Sequence, residues 1–298
     1  MFLRLLYDHP SAFRKEKMSK VALITGASSG FGLLTSITLA RRGWRVLATM
    51  RDMNRREKLE SAARAAGVLE RLEFIELDVT NSDQITAVAS SIDERETRLD
   101  ALINNAGFAL PGFADDVTDA ELHQQFDTNF FGAVAVTRAF LPQLRQQGSG
   151  HIVMVSSISG RMGFPGVGSY AASKFALEGW TESLRYELKA LGIQVVLVEP
   201  GAFETDIWTR NAKLSAGLLD PNSPNAARIP AWRRRVEGQR EKADPQIVAD
   251  MIAAIVENPR PRLRYVVGKD AKMGLMLRRL LPWALFERVI MKSTGLDQ

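Results

Sequence analysis

Residues Val21–Ile24 form an uninterrupted apolar run that ends in Thr25-Gly26-Ala27-Ser28-Ser29-Gly30-Phe31-Gly32, and a second apolar stretch, 33–40, follows directly. So short an apolar run, closed by glycine, reads as a strand buried on both faces, and the longer stretch behind it as a helix. Strand, glycine-rich turn and helix in that order commit the chain to an α/β architecture. They also make an anion site. Glycines let the backbone approach a pyrophosphate, whose charge then meets the N–H groups at the helix N-terminus. The spacing is Gly-x-x-x-Gly-x-Gly rather than Gly-x-Gly-x-x-Gly, and a merely tight turn is the plainer alternative. Gly26, Ser28, Ser29, Gly30, Phe31 and Gly32 are the candidate phosphate-side contacts.

The alternation continues down the chain. Strands are predicted at 45–50, 72–77, 100–103, 151–155, 193–198 and 264–267, and helical stretches at 54–66, 82–94, 118–145, 169–191 and 247–256. Strict alternation implies parallel strands joined by right-handed crossovers, with helices on both faces and ligands outside the carboxyl ends of the strands. The residues at those ends carry the information: Thr25, Met50 with Arg51, Asp78 with Val79, Asn104-Asn105-Ala106-Gly107, and Pro200-Gly201.

A second stretch, Gly168-Ser-Tyr-Ala-Ala-Ser-Lys-Phe-Ala176, bears on chemistry. In a helix, Tyr170 and Lys174 lie four residues apart on one face. A phenol with a pKa near 10 is a poor base at neutral pH, and a neighbouring ammonium is expected to lower that value. Taken alone, such a pair is more often a solvated helix face.

Composition excludes several classes. The 298 residues are 46% hydrophobic and 24% charged, as in an ordinary globular protein. There is no Cys, and the three His (His9, His123, His151) lack ligand spacing, so no metal site is expected. The net charge of +5 is spread along the chain apart from Arg233-Arg234-Arg235, which argues against nucleic acid as a partner. Phe2 to Tyr7 is too short an apolar run for a signal sequence, and a cytoplasmic location is expected. Met18 is a candidate start, with 1–17 an N-terminal extension.

Together these motifs resemble the short-chain dehydrogenase/reductase family over 19–268. Gly-x-x-x-Gly-x-Gly, Asn-Asn-Ala-Gly, Ser-x12-Tyr-x-x-x-Lys and Pro-Gly occur in that family's order and spacing. The resemblance implies a doubly wound Rossmann-type sheet of about seven parallel strands, in the order 3-2-1-4-5-6-7. It covers one domain over 18–270, with a substrate-loop insertion at 202–243 and an amphipathic tail at 271–298. It makes Tyr170 the acid/base, Lys174 its partner and a ribose ligand, Ser157 the hydroxyl on the substrate oxygen, and Asn129 the holder of a relay water. It also implies cofactor contacts from Asp78, Val79, Asn105, Ala106, Gly107, Pro200, Gly201 and Thr205.

A carboxylate at the end of the second strand would bind a ribose 2′-hydroxyl and repel a 2′-phosphate. Here Met50 is followed by Arg51, a potential bidentate phosphate donor, and the segment resembles that of NADP-using hydroxysteroid and retinol dehydrogenases; NADP(H) is therefore expected. Met162, Phe164, Phe203 and Trp208 are candidates to line an apolar substrate site, fitting a steroid, retinoid or fatty carbonyl or alcohol. The insertion, polar and Pro-rich at 220–230, reads as a mobile lid. The tail alternates apolar and basic residues and is broken by Pro282; it reads as a packed helix or as a peripheral membrane contact. A homo-oligomer is expected. The competing functions are an NADP(H)-binding sensor or scaffold without turnover, and a non-redox isomerase or dehydratase.

Overall fold

The computed structural model describes residues 19–95, 98–205, 207, 212–238 and 243–296. The expected extension at 1–17 and the substrate candidate Trp208 lie outside the described residues. Seven strands form one sheet: β1 Val21–Ile24, β2 Arg45–Met50, β3 Leu72–Glu76, β4 Ala101–Asn104, β5 Gly150–Val155, β6 Ile193–Pro200 and β7 Arg264–Val267. Their order is β3-β2-β1-β4-β5-β6-β7, and every pairing is parallel. The switch from β3 through β1 to β4 leaves a crevice beyond the carboxyl ends of β1 and β4.

Burial explains why β1 is one apolar run rather than alternating, whereas β3, only partly buried, carries Glu73 and Glu76. Ala22 and Ile24 of β1 enter one core while Val21 and Leu23 enter the other. The first core packs α1 Gly30–Arg41, α2 Glu57–Ala65 and α8 Gln246–Glu257 on one face of the sheet. The second packs α3 Ser82–Arg95, α5 Ala133–Gln147 and α6 Gly168–Lys189 on the other. Each fully buried Leu or Ile contributes roughly 1.5–3 kcal/mol relative to exposure. At the end of β4, buried Asn104 donates through Nδ2 to Thr137 Oγ1 at 2.8 Å.

Three departures from the sequence-based expectation affect the site. The helical region after β4 is not uniform: α4 Asp119–Phe126 passes through a π-turn at Asp127–Gly132 before α5 begins. Part of the insertion, which sequence read as a lid, packs against the rest of the chain. Helix α7 Ile229–Gly238 buries Trp232, whose Nε1 donates to Pro165 O at 3.0 Å, beside Phe113 and Val167. Among the polar residues 220–230 that suggested a lid, Asn225 is buried, and its Nδ2 donates to Asp116 Oδ2 at 3.4 Å. Finally, the tail starts at Lys269 rather than at 271; as expected, Pro282 divides it into two helices, α9 Lys269–Leu280 and α10 Trp283–Thr294.

Candidate active site

The glycine-rich turn and the turn after β4 are stitched into one unit. Thr25 Oγ1 accepts from the backbone N–H groups of Asn105 and Ala106, both at 3.0 Å. Asn105 Nδ2 donates to the carbonyls of Thr25 at 2.9 Å and Gly26 at 3.0 Å. Gly26 has φ 68°, and a Cβ there would lie 2.8 Å from Ala106 Cα; a Cβ on Gly32 would lie 2.4 Å from Gly26 O and 2.5 Å from Asn105 Nδ2. The glycines are therefore required by close backbone approach. Gly32→Ala is expected to cost about 1–3 kcal/mol, the usual range for overpacking, and to lower Tm by several degrees in thermal denaturation.

These ends open into a cavity of roughly 640 Å³. At one end lie Ser28, Ser29, Gly30 and Phe31, at the start of a helix whose first turn holds no acidic residue. Gly26 lines the same wall, whereas Gly32 stands behind it as a packing glycine. Arg51 lines the cavity beyond β2 together with Arg55, which sequence reasoning missed. Met50, otherwise buried, and Asp52 line it too, and Asp52 Oδ1 accepts from Asn54 N at 3.0 Å, capping a short turn. Asp78 and Val79 line the next wall, with Asp78 Oδ1 accepting from Thr80 N and Oγ1. Asn105, Ala106, Gly107, Pro200, Gly201, Phe203 and Thr205 complete the candidates found on the lining. A helix terminus without a carboxylate, a backbone cradle too tight for Cβ atoms, and two guanidinium side chains fit a phosphorylated dinucleotide.

At the other end Ser157, Tyr170 and Lys174 meet, all almost fully buried. Ser157 Oγ accepts from Ser159 N at 3.1 Å and hydrogen-bonds the Tyr170 phenol. Lys174 Nζ donates to Val155 O at 2.9 Å and lies 5.9 Å from the centroid of the Tyr170 ring. Here the electrostatic expectation needs correction. Burial pushes Tyr170 up to about 12, against the Ser157 hydrogen bond that lowers it, and burial pulls Lys174 down to about 8. The ammonium sits against a carbonyl and the ring, so desolvation outweighs its attraction for the phenolate.

Asn129 lies in the π-turn and is not on the cavity lining. Its Oδ1 accepts from Phe108 N at 3.1 Å, and its Nδ2 donates to Phe108 O at 3.0 Å and Ser173 Oγ at 3.3 Å. Met162 and Phe164 are also off the lining. Met162 is buried with Ile158, Ala271 and Phe286, and Phe164 packs between that cluster and the one around Trp232. Tail and insertion cover them, which local sequence could not show. Phe203 does face the cavity, edge-on to Phe31 with centroids 5.7 Å apart. Gln124, Asp127, Thr128, Phe108 and Lys213 also line the cavity; Gln124 and Lys213 carried no sequence signal because α4 and the insertion reach it only through tertiary folding.

Residues 20–214 match the family described as short chain dehydrogenase. The chain belongs to the short-chain dehydrogenase family. This dehydrogenase is 40% identical over 280 residues to the uncharacterized oxidoreductase YusZ of Bacillus subtilis, covering 92% of this chain and 98% of YusZ. It is 37% identical over 257 residues to human retinol dehydrogenase 8, covering 82% of this chain and 80% of that protein. Among solved structures, a short-chain dehydrogenase from Streptomyces avermitilis superposes with TM-score 0.78 at 35% identity, covering 94% of this chain and 100% of that one. One from Burkholderia cenocepacia in complex with NADP superposes with TM-score 0.71 at 26% identity, covering 91% and 97%.

One turn beyond Lys174, the dehydrogenase buries a carboxylate pair. Glu178 of α6 and Glu199 of β6 share Arg264, whose Nε lies 3.3 Å from Glu178 Oε2 and 3.1 Å from Glu199 Oε1; Arg161 adds a 3.2 Å contact to Glu199. Burial, followed by the charge of Glu199, pushes Glu178 up to about 7. The folded state therefore holds a proton there that the unfolded chain releases near 4.5. The stability this contributes is present below 4.5 and is lost as pH rises toward 7. Relative to Glu178→Gln, wild-type Tm is expected to fall by a few degrees between pH 5 and pH 8, and parallel Tm profiles would refute the assignment.

Proposed function

We propose that the protein is an NADP(H)-dependent oxidoreductase that interconverts a carbonyl and an alcohol on an apolar substrate of the steroid, retinoid or fatty aldehyde or ketone class. The observation that carries this reading is the hydrogen-bonded Ser157–Tyr170 pair over buried Lys174, at the far end of a cavity from Arg51 and the glycine-rich turn. Ser157 and Tyr170 would offer their hydroxyls to a substrate oxygen as it gains negative charge in the transition state. With burial pushing it up to about 12, the Tyr170 phenol is protonated across the physiological range and would serve as the proton donor when a carbonyl is reduced. When bound, the nicotinamide supplies the hydride and, once oxidised, a positive charge that eases loss of the Tyr170 proton.

Lys174 would hold the nicotinamide ribose; Thr205, over the start of α1 near Gly30, would meet the carboxamide. Asn105, Ala106, Gly107, Asp78 and Val79 would border the adenosine, with Arg51 and Ser28 on the 2′-phosphate. With its amide spent on Phe108 and Ser173, Asn129 would hold a relay water through its main-chain carbonyl. NADP(H) is supported by Arg51 and Arg55 standing where a ribose-binding acid would, and by the NADP complex of the Burkholderia relative. The apolar substrate is supported by Phe203 at the cavity wall and by the similarity to retinol dehydrogenase 8. Exposed Phe131, Phe175 and Tyr186 offer a surface for pairing of copies in a cytoplasmic homo-oligomer. The test is NADPH consumption, followed by absorbance, across a panel of apolar ketones and aldehydes. Binding of NADPH without consumption by any of them would mean a sensor instead.

A further inference from the structure

The two tail helices have different inner and outer faces. Inward, Leu277, Leu281, Phe286 and Ile290 pack on Ile158 and Met162 in the segment that follows β5. Outward, Met273, Met276 and Leu280 are more than half exposed, at spacings of three and four that put them on one stripe of α9. Trp283 continues the stripe at the junction with 59% exposure, and Leu285 and Val289 extend it along α10. Soluble surfaces seldom collect so many large apolar side chains in a row without a partner. The same 26 residues, 269–294, hold six cations and only two acids, Asp270 and Glu287. Asp270 already accepts from Ala202 N at 2.7 Å.

We propose that this outer face docks the protein onto an anionic lipid surface, lying in the interface with the apolar stripe down and Lys272, Arg279 and Arg288 among the headgroups. Charge decides between the possible occupants. A second copy would set one net-positive face against another, whereas anionic headgroups complement both the stripe and its cationic margin. No helix among the described residues is long and apolar enough to cross a membrane, so the contact is a surface one. This inference rests on the tail alone and holds whatever substrate the cavity takes.

The test is co-sedimentation of the full chain with phosphatidylcholine vesicles containing 30% phosphatidylserine, and with phosphatidylcholine alone, in low and high salt. At least about tenfold tighter binding to the anionic vesicles is expected, weakening as salt rises. Met276→Glu combined with Leu280→Glu should reduce that binding by about tenfold or more. Both positions are exposed, so Tm and affinity for NADPH should stay at wild-type values. Failure of the wild type to bind anionic vesicles overturns the proposal. If, in addition, sedimentation velocity shows the double variant dissociating a wild-type oligomer, the face belongs to a second copy. Affinity for NADPH reads the dinucleotide site separately, so failure of one reading leaves the other standing.

Discussion

Replacing Tyr170 by Phe is expected to cut turnover by roughly a hundred- to ten-thousandfold, the range typical of a lost general acid. The ring packs as before, and only the hydroxyl that bonds Ser157 is removed. Binding of NADPH should stay within a few-fold of wild type, because Lys174 keeps its hold on Val155 O. The loss should fall on kcat, as it does when an interaction made in the transition state is removed. Ser157→Ala should follow the same pattern more mildly, since Tyr170 still supplies the proton. Turnover of the Phe variant near wild type would sink the catalytic assignment, and an equal loss of NADPH affinity would make Tyr170 a packing residue.

Arg51→Ala is expected to weaken NADPH by roughly ten- to a hundredfold while leaving NADH nearly unchanged. Charged hydrogen bonds contribute about 1.5–3 kcal/mol each, and only NADPH carries the 2′-phosphate. Arg51 is exposed at the rim of the cavity, so the preference for NADPH should shrink as ionic strength rises. Arg55 faces the same space, and the double variant should lose more of the preference than either single one. Equal losses for both cofactors would show that Arg51 braces the loop, and a wild-type preference for NADH would remove the assignment outright. Fluorescence titration with each cofactor, at two salt concentrations, measures all of this.

What the sequence disclosed and what it withheld divide along a physical line. The central strands were legible because burial on both faces leaves them mostly apolar, and the strands' carboxyl ends, where Thr25, Arg51, Asp78 and Asn105 stand, follow from the crossover rule. Tyr170 and Lys174 were legible because helical spacing alone puts them side by side. Arg55, Gln124 and Lys213 were not, since each reaches the cavity only after a turn, α4 or the insertion folds over it. Met162 and Phe164 looked like substrate residues in a glycine-rich loop, yet the tail, more than a hundred residues later, covers them. Local sequence also misled on Tyr170: spacing gave the charge next to it correctly but carried no measure of how dry the pair is. The carboxylate pair had a partial signal, because Glu178 follows Lys174 at helical spacing, but Glu199 joins it only through the β5–β6 side of the sheet.

The π-turn at Asp127–Gly132 sets how this chain can change length. One residue more than a regular helix needs is wound into that turn, so α4 and α5 stand about 100° out of phase with each other. On one side of the offset Asn129 reaches Phe108 and Ser173; on the other, Val136, Phe140 and Leu144 face the core. Deleting any single residue between 127 and 132 would bring the two halves back into phase, and one set of contacts would have to let go. Substitutions there trade one side chain for another, whereas a frame-preserving deletion forces a choice between holding the site together and filling the core.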